Sequence, residues 1–166
     1  AILALALQNA QQAGLANVQT QVADGEDLTV EPASFDAVVS RLGLMFFPDP
    51  LQGLRGMHRA LRAGSGICTM VFSRPERNPC IGILMSTAFK HAGVPARDPF
   101  TPGGLLSLGK PGLADGLFRA AGFRDIATTA MDAPFRLPSA RHYLEFIRSS
   151  ASPIQQILGK LSPSAS

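Results

Sequence analysis

The stretch Phe35–Pro50, FDAVVSRLGLMFFPDP, limits what the chain can become more than any other. Between Asp36 and Ser40 it carries Ala37, Val38 and Val39 with no polar residue among them, so neither face reads as solvated. That pattern predicts a strand of a parallel sheet covered by helices on both faces. The loop that follows, Arg41–Pro48, is unusually apolar, with Leu42, Leu44, Met45, Phe46 and Phe47. Asp49-Pro50 then opens a helix, the carboxylate as N-cap and the proline at the first helical position. In an open parallel sheet, ligands bind beyond the carboxyl ends of strands. Arg41–Phe47 falls at such an end, and the site is expected there.

The flanking sequence extends a strand–helix alternation. Ala1–Ala13 reads as a helix closed by Gly14, and Val18–Ala23 alternates as a strand that ends at Asp24-Gly25-Glu26-Asp27. Pro50–Arg62 is a helix with Leu51, Leu54, Met57 or His58, and Leu61 inward. Gly66–Phe72 is a second buried strand. Asn78-Pro79 predicts another capped start, for a helix over Cys80–Ala92 with Ile81, Leu84, Met85, Ala88 and Ala92 in phase. The Pro- and Gly-rich 93–112 is a loop, Leu113–Ala121 a short helix, and Arg124–Met131 a third strand. Ser139 caps a helix through Arg148, and Pro153–Lys160 starts a further helical piece. The alternation argues α/β with a largely parallel sheet in a single domain, without internal repeats.

Composition removes several classes. With 46% apolar and 16% charged residues among 166, the chain is globular rather than disordered. No apolar run approaches the roughly 18 residues of a membrane span, and no leader pattern stands at the start. Cys68 and Cys80 give neither a disulfide framework nor metal spacing. The net charge of +3 is spread along the chain, without the cluster or stripe of a nucleic-acid surface. A cytoplasmic setting is the default expectation. His58, His91 and His142 lie in separate helices without the i, i+4 partner of a helical zinc site, so no metal is expected. Ser107 does not fit G-x-S-x-G.

FDAVVSRLGLMFFPDP, the LRAGSG after its helix and the VADGEDL before it resemble class I S-adenosylmethionine (SAM) dependent methyltransferases, nearest the small-molecule enzymes of ubiquinone and menaquinone biosynthesis. The resemblance runs from Ala1 to about Leu161 and is strongest over Val22–Gly66. It implies a Rossmann-like seven-stranded sheet in the order 3-2-1-4-5-7-6. On it Val18–Ala23 is the family's strand 3, Phe35–Ser40 strand 4, Gly66–Phe72 strand 5 and Arg124–Met131 strand 6. It also implies SAM as cofactor and a small-molecule methyl acceptor. Asp24 would accept from the adenine amino group, an acceptor-only carboxylate facing a donor, and the Gly25 amide would meet a ring nitrogen. Glu26 stands beside them; without the resemblance, Asp24-Gly25 reads simply as a turn. Ser40, Arg41 and Leu42 would lie against the methionine part of the cofactor, although Arg41 also reads as a surface ion-pair partner of Asp36 or Asp49. Met45, Phe46 and Phe47 read either as the substrate side, shielding a sulfonium, or as packing core.

The family's Gly-rich loop after strand 1, the acidic residue after strand 2, and strands 1, 2 and 7 have no counterpart here. The expectation is therefore a methyltransferase domain over 1–161 truncated at both ends, with 162–166 a cut end. Strands 3 and 4 would stand roughly 14 Å apart with nothing between them. The span alone is expected to aggregate or re-pair, and not to hold SAM at micromolar concentration. The readings left open are a segment of an NAD(P)-dependent Rossmann oxidoreductase and a non-catalytic remnant or interaction domain. The general base, if any, and the oligomeric state are not legible.

Overall fold

The structure is a computed structural model that describes residues 2–93, 95, 98–134 and 136–150. Its centre is a βαβ unit. Strand β1 (Phe35–Arg41) leads through a 3-10 turn (Leu44–Phe46) into helix α2 (Pro50–Ala60) and then strand β2 (Leu61–Met70), which pairs parallel with β1. Helix α1 (Ile2–Gln12) precedes the unit, and α3 (Pro79–His91), α4 (Leu113–Ala120) and α5 (Ala140–Ser150) follow it. Pro153–Lys160, expected helical, lies outside the described residues.

The register sets Val38 beside Ile67 and Ser40 beside Thr69, with an irregularity between Phe35 and Ala37 where the LRAGS turn bulges out. Val38 and Ile67 pack toward the core, whereas Val39 on the opposite face is 75% exposed. The sheet is thus covered on one face, not on both as Phe35–Ser40 predicts. The sequence rule detects apolar positions; the cover needs an element to supply it, and among the described residues none lies over Val39.

Two other expected strands do not form. Val18–Ala23 and Arg124–Met131 carry no strand, and Val22 is 87% exposed. A strand exists only through hydrogen bonds to a neighbour. In the expected strand order both segments are separated from the β1–β2 pair, and no other described segment bridges the gap. What stands is a two-stranded parallel sheet with helices; the seven-stranded order remains an expectation.

The core assembles where α2 faces the 3-10 turn and α4. Leu44, Met45, Leu54, Met57, Leu108 and Ala121 are buried together. Burying Leu54 and Met57 stabilises by about 1.5–3 kcal/mol each. His58, expected on or near this inner side, is exposed but packs edge-on against Phe123, with ring centroids 4.9 Å apart. The buried Ser107 hydroxyl donates to the Met45 carbonyl at 2.6 Å and ties the 103–109 loop to the turn after β1.

Small residues on α2 set its second contact. Gly53, Gly56 and Ala60 recur along one side of the helix and are buried. The segment 26–34 lies along that side. Glu26 meets the start of α2, Leu28 packs beside Gly56, and the Leu28 carbonyl accepts from Arg59 Nη2 at 2.7 Å. Ala33 and Ser34 then donate to the carbonyls of Arg59 and Ala60, both at 3.0 Å. The chain passes from the Asp24 loop along the whole helix and only then enters β1.

Candidate functional site at the carboxyl end of the first strand

β1 ends with a backbone outlier. Leu42 adopts φ 55°, a left-handed conformation that costs a branched, bulky side chain more than glycine. Three neighbours hold it there. Its N–H donates to the Met70 carbonyl at 2.9 Å, its side chain packs on the core, and Gly43 follows without a Cβ, which would sit 3.3 Å from Ser40 Oγ. Such outliers persist where surrounding structure over-determines them, often at functional sites. This one turns the chain out of the strand just beyond Ser40 and Arg41. Ser40 is half-buried and Arg41 is exposed. Arg41 makes no ion pair among the described residues: Asp36 pairs with Arg62, and Asp49 caps α2.

The three apolar residues after the turn have different fates. The Met45 side chain is 2% exposed and belongs to the core. Phe46 is 45% exposed. The Phe47 ring is wedged between Gly25 and Gly53: a Cβ built on Gly53 would lie 2.5 Å from the ring, and one on Gly25 closer still. Only glycine fits either place without displacing the ring. Phe47 therefore joins the turn after β1 to the Asp24 loop, which sequence spacing does not bring together.

That loop is fixed by α2. Asp49 is the N-cap, its Oδ1 accepting from the Gln52 N–H at 3.0 Å. The Asp49 N–H itself donates to Glu26 Oε1 at 2.6 Å, and Gln52 Nε2 donates to the Glu26 carbonyl at 3.0 Å. In an ordinary capping box the N3 glutamine would reach back to the N-cap N–H. Here Glu26, from a distant loop, takes that N–H, and Gln52 holds Glu26 instead. Sequence reasoning passed over Gln52, although the D-x-x-Q spacing from Asp49 marks it.

Asp24 then stands at the tip. One oxygen, Oδ1, accepts the Glu26 N–H at 2.9 Å; the other has no partner among the described residues, and neither has the Gly25 N–H. One free carboxylate acceptor and one free amide donor are thus adjacent on an anchored loop.

Asn78, expected to cap α3, occupies the N-cap position without capping; its amide donates instead to Ser73 Oγ and to the Ser73 and Arg74 carbonyls. A cavity of about 280 Å³ opens between the starts of α3 and α5, lined by Cys80, Leu137, Ser139, Ala140 and Tyr143. The Tyr143 hydroxyl donates to the Cys80 carbonyl at 3.1 Å, and burial, with Cys80 beside it, pushes its pKa above the ordinary phenol value. No described helix is long and apolar enough to cross a membrane.

No curated protein matches the chain. Residues 1–69 match a family model described as a methyltransferase domain. The matched span takes in α1, β1, α2 and all but the last residue of β2, and with them Asp24–Glu26 and Ser40–Leu42. The part of the chain that carries the candidate site therefore lies within the span that is similar to a methyltransferase domain.

Proposed function

We propose that the chain is a SAM-dependent methyltransferase of the small-molecule, ubiquinone and menaquinone type, or a segment of one, working in the cytoplasm. The observation that carries the reading is the joining of Asp24-Gly25 to the carboxyl end of β1 within the span that matches a methyltransferase domain. The donor set suits the adenosyl end of SAM. The free Asp24 oxygen accepts from an exocyclic amine, and the free Gly25 N–H donates to a ring nitrogen. When bound, SAM supplies a sulfonium methyl group for direct displacement by an O, N or C nucleophile.

The chain's own residues contribute position. Asp24 and Gly25 orient the adenine, with Glu26 setting their place, and Ser40, Arg41 and Leu42 border the methionine end. On the acceptor side Phe46 presents its ring, with Met45 and Phe47 behind it. Alignment of acceptor and methyl group, with water kept out, supplies several kcal/mol of barrier lowering.

Calorimetric titration of SAM, and separately of NAD and NADP, into the full-length protein tests the reading. Saturable binding of SAM alone is the expected result. Binding of a nicotinamide dinucleotide in its place would assign an oxidoreductase, and binding of neither a non-catalytic role.

A further inference from the structure

Gln52 is exposed on the first turn of α2, and nothing in the proposed chemistry requires it. Yet its amide reaches 26 residues back to the Glu26 carbonyl. Glu26 in turn closes two more contacts, its Oε1 on the Asp49 N–H and its own N–H on Asp24 Oδ1. Phe47 presses on Gly25 from below. The loop thus has three restraints, from a side chain, a helix N-terminus and a ring, all converging on Asp24-Gly25-Glu26. A surface turn that served only as a connection would not need them; Asp-Gly turns form from local hydrogen bonds.

We infer that Gln52, acting through Glu26 and backed by Phe47, is a positioning residue that holds the Asp24 carboxylate and Gly25 N–H in the arrangement an adenine edge requires. The inference rests on the proposed function and adds to it residues outside the cofactor contact itself. Its physical content is preorganisation. A loop fixed before binding loses less freedom when the ligand arrives, and affinity rises without a new contact. Phe47 then acts mainly from beneath the cofactor loop, with Phe46 alone open toward the acceptor.

The test uses Gln52→Ala in the full-length protein, with Gln52→Glu as a second variant that keeps the shape but removes the donor and adds a charge near Glu26. Gln52 is exposed, so neither substitution opens a cavity. Three quantities are read: the melting temperature, amide hydrogen exchange at Glu26 and Asp27 without ligand, and affinity for SAM against an analogue whose purine lacks the 6-amino group. With a nearly unchanged melting temperature, exchange is expected to quicken about fivefold, the weight of one ordinary hydrogen bond. SAM affinity should fall by a similar factor. Affinity for the analogue, which gives Asp24 nothing to accept, should fall less. Unchanged exchange, or equal losses for SAM and the analogue, would overturn the inference while wild-type protein still binds SAM. Wild-type protein that does not bind SAM would overturn the functional reading, and the clamp's ligand role with it.

Discussion

Glu26 Oε1 accepts the backbone N–H of Asp49 at 2.6 Å, so a loop and a helix start 23 residues apart share one capping arrangement. The helix gains a second acceptor at its N-terminus, where negative charge is favoured. The loop gains a fixed point. Together with the Gln52 amide and the Phe47 ring, this contact brings the Asp24 turn, remote in sequence, to the turn that leaves β1.

Replacing Asp49 with Ala removes the side-chain acceptor for the Gln52 N–H but leaves the backbone N–H that Glu26 uses. The expected cost is about 1 kcal/mol of stability, with acceptor choice unchanged. A denaturant melt together with turnover on several acceptors checks it. Undiminished stability with altered turnover would place Asp49 in the site.

Gly53→Ala and Gly56→Ala should act in opposite directions. A Cβ at Gly53 meets the Phe47 ring at 2.5 Å and the Gly25 carbonyl oxygen at 3.3 Å, so overpacking should cost about 1–3 kcal/mol. A Cβ at Gly56 has the Leu28 side chain as its nearest neighbour, at 3.6 Å, an ordinary contact, and removing a helix-interior glycine should gain about 0.5–1 kcal/mol. Chemical melts of the two variants decide it; equal effects would mean that Phe47 can leave its place between the glycines freely.

Much of the local structure was legible in the sequence because local rules govern it. Asp49-Pro50 starts α2 as expected, and Leu54 and Met57 face inward. Ser139 takes the expected capping contact, Oγ accepting the His142 N–H at 3.3 Å. The failures come from partners. Val18–Ala23 and Arg124–Met131 have strand-like composition, but pairing is a property of two segments, and neither finds its neighbour among the described residues. Asn78 has the right identity and position for a cap, yet its Nδ2 donates to the Ser73 and Arg74 carbonyls, and its Oδ1 takes no helix N–H. At the candidate site, the strand-end rule already points to Arg41–Phe47, whereas the roles of Asp24 and Ser40 come only from family resemblance. The wedge of Phe47 between two glycines needs the three-dimensional approach of α2 to the loop, and no spacing in the chain announces it.

The second edge of β1 has no partner among the described residues, and Val39 stands exposed beside it. Residues 1–166 expressed by themselves should therefore self-associate. Val39→Lys, which puts a charge on that exposed face, should shift the size distribution toward monomer. Analytical ultracentrifugation over a concentration series checks this; a monomeric parent chain would show that the edge is already covered.

Asp24→Ala removes the acceptor proposed for the adenine amine. The loss of one charge-assisted hydrogen bond should weaken SAM binding by about 1.5–3 kcal/mol. Calorimetry on both full-length proteins measures it, and equal affinities would take Asp24 out of the site.

Ultraviolet cross-linking of radiolabelled SAM to the full-length protein, followed by peptide mapping, tests the location of the site most directly. The account predicts label in peptides spanning 24–28 or 40–47, competed away by unlabelled SAM. Competable label confined to other parts of the folded protein, or none at all, would contradict it.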